Sequence, residues 1–102
     1  MTNEKKLEKL KAFLDENNIH YQEKVIKKGQ FMDLFIGKYL ICVKLSDQND
    51  QNFFLQVRRA YHPLFIRDYE TPKFVIEKMQ NLIVDIMQKK QKVFENQQKK
   101  GK

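Results

Sequence analysis

Cysteine, proline and glycine are scarce in this chain of 102 residues: one, two and three, with no tryptophan at all. A single cysteine cannot form an intramolecular disulfide. So few prolines and glycines leave out collagen-like repeats and long structured loops. Gly29, Gly37 and Gly101 stand alone, so there is no glycine-rich phosphate loop. The only histidines, His20 and His62, are far apart, which denies a structural zinc its ligands. No apolar run approaches the roughly 18–20 residues of a membrane span, so no membrane role is expected. The first residues are polar and lack the apolar stretch of a secretory signal, which predicts a cytoplasmic protein.

What is present is enough for one core. Hydrophobic residues make up 41% of the chain and aromatics 12%. The composition is not that of a disordered chain. The formal charge of +7 is unevenly spread. Residues 88–102 hold six lysines and one glutamate, whereas residues 1–87 hold 14 basic and 12 acidic groups. The expected organisation is a single α+β domain over 1–87 and a basic Lys/Gln-rich helical extension or tail over 88–102. A basic tail binds phosphate backbones without reading sequence. It also serves as a plain solubilising end. Only three of the 20 basic residues are arginine. An AT-rich genome yields such a lysine-rich mix without selection for a charged partner.

Asn3 to Asn17 has the spacing of an amphipathic helix, with Leu7, Leu10, Phe13 and Leu14 on one face. Thr2 or Asn3 can cap its start, and Asn17-Asn18 can end it through a left-handed residue. Three strands are predicted next: Ile19 to Ile26, Phe31 to Ile36 and Tyr39 to Leu45, rich in β-branched and aromatic residues. Lys27-Lys28-Gly29 is a turn, and Gly37-Lys38 suits a two-residue type II′ hairpin. Residues 52–61 fit two patterns. As a helix, Phe53, Phe54, Val57, Ala60 and Tyr61 share a face; as a strand, Phe53, Leu55 and Val57 alternate with Phe54, Gln56 and Arg58. The helical reading is preferred. Pro63 to Arg67 is a short strand with proline at its entry. The last helix is capped by Thr71 with Pro72 in its first turn. Phe74, Val75, Met79, Leu82, Ile83, Ile86 and Met87 form its apolar stripe, which Val93 and Phe94 can extend.

The hairpin assembles one constellation with chemistry in it. A two-residue turn pairs Ile36 with Tyr39, which sets Asp33 opposite Cys42 and Lys44 on the diagonal. All three then point to one face, the diagonal spanning about 7–8 Å. A carboxylate and a lysine side by side form either an ion pair or a phosphodiester site. In the latter a carboxylate holds a divalent ion and lysine steadies the attacking water or developing charge. Cys42, between Ile41 and Val43, reads as a small buried hydrophobe.

The order helix, three strands, helix, strand, helix, with Asp33 in Phe31-Met32-Asp33-Leu34-Phe35-Ile36 and Lys44 in Ile41-Cys42-Val43-Lys44, resembles the restriction-endonuclease-like core of the PD-(D/E)XK nuclease superfamily. The resemblance covers about residues 4–87. It implies a small mixed β-sheet flanked by helices, in the order α-β-β-β-α-β-α, and Asp33 and Lys44 as catalytic positions, vestigial or active. The family's acid would stand at 42, where this chain has cysteine. A thiol is a poor ligand for hard Mg²⁺, which prefers oxygen. Asp33 would hold the metal, with Glu23 as a migrated second ligand. The Gln56 and Tyr61 pair is similar to one seen in a branch of the superfamily, at a spacing one residue longer.

Two classes of function follow. One is a nucleic-acid-binding module on a catalytically degenerate nuclease-like core, without a required cofactor, or Mg-dependent if active. Lys27, Lys28, Arg58, Arg59, Lys89 and Lys90 would then contact nucleic acid. The other is a protein-interaction or structural α+β domain, binding a protein partner or forming a homo-oligomer, which the near-neutral body favours.

Overall fold

The computed structural model describes residues 2–100, with side chains for residues 2–90. Helix α1 (Asn3–Glu16) starts where its cap predicts: the Thr2 hydroxyl accepts the Lys5 N–H at 3.2 Å. It ends in a Schellman motif. Asn18 adopts φ 56°, its N–H donates to the Asp15 carbonyl at 3.1 Å, and the Ile19 N–H donates to the Leu14 carbonyl at 2.9 Å. Ile19 thus closes a helix cap and packs against the core. The first strand accordingly starts later than expected, as β1 (Gln22–Lys27).

Lys28-Gly29 joins β1 to β2 (Gln30–Ile36), with φ of 55° and 71° at the two residues, the pattern of a type I′ turn. The second hairpin departs from expectation. Ile36 pairs with Ile41, not Tyr39, so a four-residue connection, Gly37 to Leu40, leads into β3 (Ile41–Leu45). The left-handed residue is Leu40 (φ 57°), not Gly37. Two contacts account for this. The Leu40 carbonyl accepts the His62 N–H at 2.8 Å, and Tyr39 packs against the core, so both residues are drawn out of the strand.

Residues 50–57 are helical, forming α2 (Asp50–Val57), with Phe53 and Val57 buried one turn apart. Strand β4 (His62–Ile66) follows. Helix α3 (Pro72–Lys100) begins with the Thr71 hydroxyl accepting the Phe74 N–H at 3.1 Å. It runs unbroken through the boundary expected at 87/88. Val93 and Phe94 lie outside the described side chains. No helix among the described residues is long and apolar enough to cross a membrane.

The element order is therefore α-β-β-β-α-β-α around one mixed sheet, ordered β1-β2-β3-β4. The first three strands are antiparallel and β4 runs parallel to β3. Alternation along the strands divides the core in two. Leu34, Ile36, Ile41, Val43, Leu64 and Ile66 meet α1 and α3. Phe35 and Cys42 meet Phe53 and Val57 of α2 on the other face, joined by Met32, whose odd spacing from Phe35 marks a break in the alternation at Asp33, where β1 has Lys24 at φ 51° and no ladder pair forms.

Buried charge ties the layers together at the end of β4. Lys6 of α1 is 2% exposed. Its ammonium donates to the carbonyls of Arg67 (2.8 Å) and Asp68 (3.0 Å) and to Asn3 Oδ1 (3.2 Å). All three protons are satisfied, so the ion is not stranded. Asn3 Nδ2 also donates to Asp68 Oδ1 at 2.6 Å. From α3, Lys78 donates to the Phe65 carbonyl at 2.6 Å and pairs with buried Glu70 at 2.6 Å. Glu70 in turn accepts the Arg67 N–H at 2.8 Å. Lys6→Met keeps the apolar stem but leaves three oxygens without their donor. Urea denaturation should show a loss of about 1–3 kcal/mol; an unchanged midpoint would mean the clamp contributes nothing.

Candidate functional site

Continuing the β2–β3 register past Leu34 and Val43 brings Asp33 level with Lys44. The paired ladder stops there, and the Asp33 carboxylate takes over: Oδ2 accepts the Leu45 N–H at 2.9 Å. Relative to the predicted hairpin the pairing has slipped by two residues, an even number. A slip of two preserves faces. Cys42 and Lys44 therefore share the α2 side of the sheet, with Cys42 opposite Phe35 instead of Asp33, while the alternation of β2 breaks at Asp33, whose carboxylate turns to the β3 backbone.

Asp33 and Lys44 line one pocket of about 350 Å³, at the C-terminal end of the parallel pair β3/β4. Gln30, Phe31, Leu45, Ser46, Asp47 and Asn49 complete its wall. The Lys44 ammonium does not reach for Asp33. It pairs with Asp47 Oδ2 at 2.6 Å, approaches Asp50 Oδ1 at 3.9 Å, and lies 5.6 Å from the Phe53 ring centroid. The contact with Lys44, helped by the Asn49 N–H, holds the Asp47 carboxyl below its ordinary value. Asp50 fixes the loop before α2: its carboxylate accepts the Ser46 hydroxyl and the Asp47 N–H, and pairs with Arg67 at 3.3 Å. Asp47 and Asp50 were not candidates in the sequence. The readable signal is two aspartates within six residues of Lys44.

The residues do not fit a divalent metal. Cys42 is fully buried among Met32, Phe35, Phe53 and Val57, and burial pushes its thiol up to about 12. Glu23 stands opposite Leu34, whose side chain belongs to the α1/α3 core. There it pairs with Lys11 of α1 at 2.7 Å. Glu23 and Glu8 together hold the Lys11 ammonium above its ordinary range. So the structure does not bring Glu23 to Asp33. Among the described residues no three His, Cys, Asp or Glu side chains gather as a metal site.

The basic candidates fall on three elements. Lys27 lies over the Phe35 ring, 4.7 Å from its centroid, and Lys28 is exposed in the first hairpin. Arg58 and Arg59 are exposed just past α2. Phe35 meets Tyr61 edge-on at 5.1 Å, which joins the β-hairpin side to the end of α2. Lys89, paired with Asp85 at 3.2 Å, and Lys90 lie on α3, in the layer across the sheet. No family model, curated protein or solved structure matches the chain.

Two predictions follow from this geometry. Cys42→Glu places a carboxyl in a dry apolar site. At pH 7 the variant should lose about 3–4 kcal/mol, the cost of protonating a carboxyl whose ordinary pKa is about 4.3. A carboxyl raised in the folded state is penalised only above its unfolded pKa, so the deficit should shrink at pH 4.5 in the same urea assay. An equal deficit at both values would show the site is not dry. Carboxyl ¹³C titration should find Asp47 below the ordinary aspartate range and rising toward it in Lys44→Met. The stability Asp47 contributes is present above its unfolded pKa and is lost as pH falls through the lowered folded value.

Proposed function

We propose that the chain is a nucleic-acid-binding module on a catalytically degenerate nuclease-like core, similar to the PD-(D/E)XK superfamily. One observation carries this reading: Asp33 of β2 and Lys44 of β3 line one pocket at the end of β3. The degenerate half of the reading is supported by the side chains around them. Cys42 is buried under α2, the Lys44 charge is neutralised by Asp47, and Asp33 is engaged by a backbone N–H. A lysine whose charge is already paired has little left for a developing phosphate charge. Contact with nucleic acid would be through phosphates, by Lys27, Lys28, Arg58 and Arg59 on the body and by the lysines of the C-terminal segment. Such contacts position a backbone and carry no base information.

The alternative is a protein-interaction or homo-oligomeric α+β domain. It is favoured by Ile26 and Phe31, which pair across the first hairpin at 72% and 48% exposure. The deciding experiment measures full-length protein on fluorescent duplex and single strand across a salt series. Each phosphate contact should add about 0.9 to the log–log slope on duplex and about 0.7 on single strands. Changing the lysines of residues 88–102 to glutamine should flatten the slope without abolishing binding. Lys27, Lys28, Arg58 and Arg59 changed to glutamate should abolish it, and plasmid should stay intact in Mg²⁺ or Mn²⁺. Binding that vanishes with the C-terminal lysines, in a protein that sediments as a dimer, overturns the reading in favour of the alternative. Cleavage that is lost in Asp33→Ala overturns the degenerate assignment.

A further inference from the structure

A second cavity, of about 460 Å³, opens at the β2–β3 connection, the opposite end of β3 from Lys44. His20, Tyr21, Gln22, Lys27, Phe35 and Lys38 line it, and no carboxylate does. Its volume is within the usual range of small-molecule sites, about 300–1,000 Å³.

The two lysines differ from the others that the fold holds in place. Lys6, Lys11, Lys44 and Lys78 each have oxygen partners. Among the described residues Lys27 and Lys38 pair with no carboxylate; aromatic faces hold them instead. Lys27 lies 4.7 Å from the Phe35 centroid and Lys38 lies 5.5 Å from the Tyr39 centroid. A cation–π contact positions an ammonium without neutralising its charge. Two positioned, unneutralised charges in an acid-free cleft attract an anion. The Tyr21 hydroxyl donates to Asp15 Oδ2 at 3.2 Å, which steadies the phenol ring at the cleft wall. Burial and the Asp15 carboxylate both keep that phenol protonated. A fixed ring suits stacking with a base, a contact tolerant of base identity. The Gln22 amide supplies both a donor and an acceptor for a base edge.

We infer that this cleft binds a nucleotide carrying a 5′-phosphate, the phosphate between Lys27 and Lys38 and the base against Tyr21. The same chemistry is offered by a free mononucleotide and by the 5′ end of a strand. The site is separate from the Asp33/Lys44 pocket and does not depend on the nuclease-like reading.

The test follows amide ¹⁵N shifts of the full-length protein during titration with AMP, adenosine and inorganic phosphate. AMP should shift Gln22, Gly37 and Lys38 saturably, and adenosine should bind about tenfold more weakly. Lys27→Gln and Lys38→Gln should each weaken AMP by about tenfold, with the remaining spectrum unchanged. Competition by 5′-phosphorylated and 5′-hydroxyl pentanucleotides separates the sources. A phosphorylated strand that displaces AMP at lower concentration assigns strand ends, and two weak competitors assign the free nucleotide. The inference fails if AMP causes no saturable shift, if the shifts survive both substitutions, or if phosphate alone binds as tightly as AMP.

Discussion

The Lys6 ammonium is the interaction on which the arrangement of layers turns. Among the described residues it is the most deeply buried cation, and it is matched by neutral oxygens alone. Two of those oxygens belong to the backbone just after β4. Helix α1, the first element, is thereby locked to the segment that launches α3, the last. Removing water from an ammonium is costly, so the geometry around it tolerates little slack. Lys78 and Glu70 reach the same segment from α3. The path from β4 to α3 is thus held from both helices at once, which sets where α3 lies across the sheet.

With α1 and α3 settled on one face, the other is left to a helix of eight residues. It covers Cys42 and Phe35 through Phe53 and Val57, and its reach stops short of the strand ends. The polar cluster of Asp33, Lys44, Asp47, Asp50 and Arg67 fills the uncovered corner. This division explains why position 42 and position 44, neighbours on one face, have opposite characters. One is under the helix and dry; the other is beside the loop that enters it.

Local signals were legible in the residues. The Thr2 and Thr71 caps, the Asn18 exit and the Lys28-Gly29 turn all depend on the chemistry of one or two side chains, and each is visible without tertiary information. The nearness of Asp33 and Lys44 was legible too, because it survives a two-residue slip of the hairpin. Their exact partners were not. The second hairpin is decided by the bond between Leu40 and His62, across 22 positions of chain, and nothing near Gly37-Lys38 announces it. Nothing in the sequence sets Lys6 apart from the other lysines of α1. Its spacing was helical, but its burial is set by a loop more than 60 residues away. Glu23 looked available for the pocket, and only the pairing of β1 shows that it turns to Lys11.

The contacts around β4 also govern how far the sheet can grow. His62 and Ile66 bond toward β3, so the alternate residues Pro63 and Phe65 present their backbone outward. Pro63 has no N–H to offer, the Phe65 carbonyl is occupied by Lys78, and the Arg67 N–H is occupied by Glu70. An incoming strand would find most of its ladder already taken on this edge. On the far side Lys24, at φ 51°, interrupts the straight run of β1. The lysine and glutamate that fasten a loop to a helix therefore also stop the addition of a fifth strand, and steer any self-association of this domain away from sheet-to-sheet stacking at β4.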